Sequence, residues 1–158
     1  MAAIGSVSAL LAACTRGQLD VVNKQIDAGV PIECHLEQGD TPLILASLGR
    51  HEATVQVLLD RGANVNLAAV DGATPLYCAA AVGHEAIARL LLDRGASVDQ
   101  AGEDGATPLC ATCQGGHVAT ARLLLDHGAS VDQARVDSTT PLFLACQFGH
   151  QATARLLL

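Results

Sequence analysis

Aromatic residues are almost absent from this chain. Its 158 residues include one Tyr, two Phe and no Trp, although half of all residues are apolar. A core must therefore be built from Ala, Leu, Val and Ile. Such small side chains let helices approach each other closely, so the composition favours thin structural units packed side by side.

Positive charge is also scarce. Nine basic residues stand against 16 acidic ones, which gives a formal charge of −7. Proteins that bind nucleic acid usually carry a basic patch that neutralises phosphates, and the sequence shows none, so we expect no nucleic-acid partner. No apolar run approaches the roughly 20 residues of a membrane-spanning helix, so we expect no membrane partner either.

A three-residue motif recurs at a constant interval of 33 residues. Glycine, histidine and Leu-rich positions follow the same interval, which indicates a stacked array of units that bury their apolar faces on one another. The predicted units are 3–35, 36–68, 69–101, 102–134 and a truncated 135–158, which together form one domain, residues 1–158. The copies of the motif are Thr41-Pro42-Leu43, Thr74-Pro75-Leu76, Thr107-Pro108-Leu109 and Thr140-Pro141-Leu142.

Each unit is predicted to contain two short helices. In unit three, Thr74 is a favourable N-cap residue and Pro75 suits the first helical position. The helix should end at Gly83, which can take a left-handed conformation. A second helix should run from near His84 to Gly95, followed by a hairpin-like loop with an Asp-Gly turn. The sequence therefore predicts an all-α solenoid.

The chain resembles the ankyrin-repeat family through residues 71–84 (DGATPLYCAAAVGH) and 90–99 (LLLDRGASVD), and the pattern recurs along the whole chain. The resemblance implies L-shaped helix-turn-helix units with hairpin-like loops, and a concave binding face made of hairpin tips and inner helices. The sequence departs from the family in two ways. The His that usually follows Thr-Pro-Leu is replaced, and a helix-ending glycine is Arg50 in unit two. The residues that replace the His are Ile44, Tyr77, Cys110 and Phe143.

The residues that suggest chemistry have simpler structural interpretations. Cys110-x-x-Cys113 lacks the further ligands that a zinc site needs, so we expect Cys113 to pack in a small buried column shared with Cys14 and Cys146, and Cys110 to lie at the groove edge. The histidines His51, His84, His117 and His150 are one unit apart and are expected to begin the second helices. We predict no metal, no cofactor, no catalytic residues and no enzymatic activity.

The six cysteines are expected to be free thiols. A repeated aliphatic core needs no disulfide bonds, and a free Cys packs as a small hydrophobe. This usage favours a reducing compartment, cytoplasmic or nuclear. The sequence also contains no Asn-x-Ser/Thr site.

The family's contact positions, mapped by register, predict the partner-binding residues. The tips are acidic, which predicts a basic protein or peptide with an apolar anchor, although a solvated row of loops would look similar. Tyr77 and Phe143 could instead fill the space left by the missing His. The predicted contacts are Glu37, Asp40, Leu48, Val70, Asp71, Tyr77, Val82, Glu103, Asp104, Gln114, Arg135, Asp137, Phe143, Gln147 and Phe148.

The function predicted from these patterns is a non-enzymatic protein-interaction scaffold that binds a peptide or protein surface in its concave groove. Two alternatives stay open: a passive structural or assembly segment, and a regulatory domain of a larger protein. The sequence stops at Leu156-Leu157-Leu158 without a polar cap, which suggests contact with further repeats or a partner at this end. Asn66 lies in the loop column that asparaginyl hydroxylases modify in the family, so it is a predicted modification site.

Overall fold

The computed structural model describes residues 3–35 and 39–158, with side chains from residue 6 onward. Within those ranges the chain forms ten α-helices and no β-strand. Their bounds are α1 Ala3–Arg16, α2 Leu19–Asp27, α3 Pro42–Leu48, α4 Glu52–Asp60, α5 Pro75–Ala81, α6 Glu85–Asp93, α7 Pro108–Gly115, α8 Val118–Asp126, α9 Pro141–Gln147 and α10 Gln151–Leu156.

The helices stack in two layers. The odd-numbered helices contact one another in chain order from α1 to α9, and the even-numbered helices do the same from α2 to α10. Each odd helix also packs on the even helix that follows it. We call the odd helices inner and the even helices outer. The all-α solenoid predicted from the repeat interval is therefore the observed fold.

Each Thr-Pro-Leu motif starts an inner helix as predicted. The threonine has an extended backbone, and its hydroxyl oxygen accepts a hydrogen bond from the backbone N–H three residues later, at 3.1 Å in the case of Thr74 and Tyr77. The proline follows in the first turn, where its missing N–H needs no partner. The other three caps join Thr41 to Ile44, Thr107 to Cys110 and Thr140 to Phe143.

The inner helices end at residues in the left-handed conformation. Gly83 and Gly116 have φ values of 66° and 71°, and Arg50 takes the same conformation at 63°. A side chain at such a position costs about 1–2 kcal/mol relative to glycine. Arg50 therefore keeps the left-handed backbone at a local cost in stability.

The core runs the length of the array because the same columns are buried in successive units. Leu10, Leu43, Leu76 and Leu109 are each at most 2% exposed and fill one column of the inner helices. Ala13, Ala46 and Ala79 are also buried, and they leave room for the neighbouring helix.

One predicted column is buried only in part. Cys14, Ser47, Ala80 and Cys113 are fully buried, whereas Cys146 in the fifth unit is exposed. The prediction of a buried Cys146 is therefore wrong. The column is buried by the unit that stacks next to it, and no described residue stacks on the fifth unit in that way.

The hydroxyl of Thr74 gives a direct test of the capping interaction. We expect Thr74→Ala to lower the free energy of unfolding by about 1 kcal/mol, because the Tyr77 N–H loses its acceptor. Thr74→Ser keeps the hydroxyl and should retain most of the stability. Chemical denaturation of the two variants measures both values, and equal losses would show that the cap is not the stabilising feature.

Candidate binding groove

The groove is bounded by the inner helices and by the tips of the loops that precede them. Neighbouring tips are joined through their backbones: Glu103 N–H donates to the Asp71 carbonyl at 3.0 Å, and Val136 N–H donates to the Asp104 carbonyl at 2.9 Å. Because units three to five are linked in this way, their tips form one continuous row along the groove.

The tip aspartates have a structural role that the sequence interpretation missed. One carboxylate oxygen accepts a hydrogen bond from the backbone N–H two residues later, as in Asp71 with Ala73 at 3.0 Å and Asp104 with Ala106 at 2.9 Å. Asp137 does the same with Thr139. A hydrogen bond with the Thr139 side chain, followed by this backbone hydrogen bond, lowers the pKa of Asp137. Asp suits such turns because a single methylene group joins its carboxylate to the backbone.

The acidic row is also partly neutralised. Arg135 donates to the second carboxylate oxygen of Asp104 at 2.7 Å, across the junction between units four and five. Glu103 is exposed and makes no such ion pair within the described part of the chain. The charge available to a partner therefore lies mainly at Glu103 and Asp71.

Four of the predicted contact residues meet in one cleft of about 320 Å³. Asp71, Tyr77, Glu103 and Asp104 line it together with Ala73 and Gly102. Tyr77 is half-buried, and burial, followed by the nearby Asp104 charge, raises the pKa of its hydroxyl. The cleft thus places carboxylates around one aromatic ring, an arrangement suited to a cationic side chain.

A second cleft of about 390 Å³ lies on the inner-helix side of the same ring. Tyr77, Gln114 and Phe148 line it with Ala81, Ala111 and Gly115. Phe148 is 49% exposed and stacks on His150, with ring centroids 6.5 Å apart. Tyr77 therefore borders both clefts, and it is not simply buried in the space of the missing His.

The other predicted contacts line neither cleft. Val70 and Phe143 are 68% and 56% exposed, and Leu48, Asp137 and Gln147 are also exposed. Asp40, Val82 and Arg135 are half-buried, and burial, followed by the charge of Asp71, raises the pKa of Asp40. Glu37 lies outside the described residues.

Asn66 links two neighbouring units. Its amide nitrogen donates to the Gly95 carbonyl at 3.2 Å, and its carbonyl oxygen accepts from Ser97 N–H at 2.8 Å. Asp99 occupies the same column one unit later and accepts from Ser130 N–H. Hydroxylation of Asn66 stays a prediction, and the structure shows that the side chain is engaged in holding the loops together.

The histidine column joins units as well as beginning helices. In three units the histidine Nε2 lies 3.0–3.1 Å from a backbone carbonyl of the preceding unit's inner-helix end. A carbonyl can only accept, so Nε2 donates. We call these contacts the histidine bridges; they join His51 to Thr15, His117 to Ala81 and His150 to Gln114.

The cysteines differ in how far they are buried. Cys110 is 1% exposed, so the prediction that it lies at the groove edge is wrong; its sulfur packs inward and accepts a hydrogen bond from the Thr107 hydroxyl. All six cysteines are free thiols. Within residues 3–35 and 39–158, no group of three or more His, Cys, Asp or Glu residues could hold a metal ion.

Burial raises the pKa of Cys14, Cys78 and Cys113 to about 12. In the unfolded chain a thiol ionises near its ordinary value of about 8.5. As the pH rises from about 9 towards about 12, the unfolded state therefore binds fewer protons than the folded state, and stability falls.

This linkage can be measured with single variants. We expect Cys113→Ala to reduce the alkaline loss of stability by up to about 1.4 kcal/mol per pH unit. Alanine fits this column because Ala80 occupies it one unit earlier. The exposed Cys146→Ala serves as control and should leave the slope unchanged. Denaturation at about pH 8 and about pH 10.5 gives the comparison, and equal slopes in all three proteins would contradict it.

Comparison with known proteins agrees with the architecture. A family model described as ankyrin repeats, in three copies, matches residues 10–102 and 96–158. No curated protein matches the chain significantly. Among the described helices, none is both long and apolar enough to cross a membrane.

Proposed function

Because the chain belongs to the ankyrin-repeat family, whose domains are generally non-enzymatic protein-interaction modules, we propose that it binds a segment of another protein in the groove of units three to five. The observation that carries the proposal is the pair of clefts that share Tyr77. We propose that the bound segment places a Lys or Arg in the acidic cleft and an apolar side chain in the other.

The acidic cleft supports a cationic ligand group for two reasons. Glu103 and Asp71 keep charge that no ion pair of the described residues neutralises, and the Tyr77 ring offers a face for a cation. Complementary charge mainly speeds and selects the encounter of two proteins. Asp104, already paired with Arg135, contributes less to this attraction.

The cleft beside Phe148 supports an anchoring apolar side chain. Phe148 is half-exposed beside Ala81 and Ala111, so a methyl or aromatic group could displace water from its ring. Aromatic residues are enriched among the few that dominate binding energy at protein interfaces. The partner is therefore proposed to be basic with an apolar anchor, and the free thiols support a cytoplasmic or nuclear location.

Peptides selected from a displayed random library on the wild-type protein test this proposal. We expect selected peptides to combine Lys or Arg with an apolar residue. Glu103→Lys and Phe148→Ala should each weaken their binding by roughly 30-fold, the effect of a contact worth about 2 kcal/mol. Fluorescence polarisation with a selected peptide measures the affinities.

Two variants on other surfaces serve as controls. Asp126→Lys makes a similar charge change on the outer helix α8, and Leu158→Ala removes an apolar side chain that is 92% exposed. Both should bind like the wild type. If the outer-helix change weakens binding as much as Glu103→Lys, the effect comes from net charge and the groove proposal is wrong.

A second candidate function is assembly through the fifth unit. Its stacking face is open in this structure, since Cys146 is exposed in a column that the other units bury, and Phe143 is exposed beside it. An exposed apolar face of this kind commonly marks an interaction site. Such a segment would act as a structural element rather than as a reader of a peptide.

Light scattering on the isolated chain tests the assembly function. We expect the measured mass to rise with concentration if this face pairs with another copy, and Cys146→Asp to abolish the rise by placing a charge in the contact. Gln147→Asp adds the same charge on the neighbouring exposed position and should have little effect. A constant monomer mass in the wild type would exclude self-assembly of the isolated chain.

A further inference from the structure

The third unit lacks a histidine bridge. The ring of His84 makes no hydrogen bond to the Leu48 carbonyl, which has the register of the three carbonyls that accept bridges. Instead His84 Nδ1 accepts a hydrogen bond from its own helix, from Ile87 N–H at 3.2 Å. The bridging histidines His51, His117 and His150 make no such cap. The ring therefore serves one purpose or the other: it bridges two units or caps its own helix.

The residue that ends the preceding inner helix explains the difference. A Cβ placed on Gly17, Gly83 or Gly116 would lie only 2.4–2.5 Å from Nδ1 of the bridging histidine in the next unit. A bridging ring thus needs glycine at this position, because it occupies the space that a Cβ would take. The corresponding residue before His84 is Arg50, which has a Cβ and keeps the left-handed backbone at φ 63°.

A second residue near His84 also differs from some of its counterparts. Val82 stands where units two and four have Gly49 and Gly115, and a Cβ on either glycine would lie within 2.6 Å of the unit's own histidine ring. Unit five shows that a side chain at the position of Val82 does not prevent a histidine bridge. Phe148 has a Cβ at the same position, and His150 still forms its bridge. Arg50 is therefore the residue that excludes the bridge.

The junction between units two and three is held instead by side-chain contacts in the loops that follow the outer helices. The Asn66 side chain hydrogen-bonds to both Gly95 and Ser97. The Gln100 side-chain amide donates to the backbone carbonyl of Asn66 at 3.3 Å. An exposed ion pair joins Arg94 to Asp60, and exposed pairs contribute little. The junction thus has side-chain hydrogen bonds at the loops that follow the outer helices, and it lacks the histidine bridge at the turns that contain Arg50 and His84.

We propose that this junction is a hinge of the solenoid. Opening there separates the helix-turn ends of units two and three while the Asn66 contacts hold the loops together. Units one and two then move as one arm and units three to five as the other. The two groove clefts lie wholly in the second arm, so the hinge changes the approach of the first arm to a segment bound there without disturbing the clefts themselves.

Arg50→Gly tests the hinge because it removes the Cβ that excludes the bridge. We expect the His84 ring to turn to the Leu48 carbonyl, and amide exchange in α3 to α6 to slow by about tenfold. The midpoint of thermal unfolding should rise by roughly 2–4 °C. Exchange in α8 and α10, away from the junction, should stay as in the wild type.

One amide separates bridge formation from simple relief of backbone strain. When His84 leaves its cap, Ile87 N–H loses its acceptor, so its exchange should become faster while its neighbours become slower. Strain relief alone would leave Ile87 capped. NMR-detected exchange on the full chain reads this amide directly, and a slowed or unchanged Ile87 in Arg50→Gly would overturn the proposed cause.

Two further variants complete the test. Gly83→Arg should break the His117 bridge and move fast exchange to the junction of units three and four. Val82→Gly alone should leave His84 capped and exchange unchanged. If Val82→Gly reproduces the effect of Arg50→Gly, or if Arg50→Gly leaves exchange in α3 to α6 unchanged, the hinge does not exist as proposed.

Discussion

Every unit of this protein depends on its neighbours for burial. A unit of two short helices cannot enclose a core alone, so its leucine column becomes buried only when the next unit covers it. The fifth unit shows the dependence directly, because Cys146 is exposed at a position that is fully buried in the other four units. The stability of each helix is therefore a property of the junctions, and variation between junctions shapes the behaviour of the whole array.

The repeat interval made the fold predictable in detail. The threonine caps and the left-handed helix ends follow from local rules about backbone groups and side-chain size, and the structure confirms them. Burial of Cys146 could not be derived in the same way, since the sequence column records residue type and not whether a neighbour covers it. Cys110 was misplaced because a Cys that replaces a polar residue gives no sign of which way its sulfur packs.

The groove was predictable in outline and not in its chemistry. Register identified Tyr77, Glu103 and Phe148 as neighbours of one surface, and the two clefts bring these residues together. The hydrogen bonds of the tip aspartates and the ion pair of Asp104 with Arg135 depend on side-chain directions in adjacent loops. A sequence column of acidic residues looks the same whether its carboxylates face a ligand or close a turn.

The side chains of the tip aspartates hold the loops through hydrogen bonds. The residues in the column just before them make no such hydrogen bond. Val70, Glu103 and Val136 each precede the turn-forming aspartate, their side chains are exposed, and they alternate between apolar and acidic. Substitution there changes no loop hydrogen bond made by a side chain. Recognition in this protein could thus vary at a row of single residues, one in each of units three to five, while the aspartates beside them keep these three loops in the same shape.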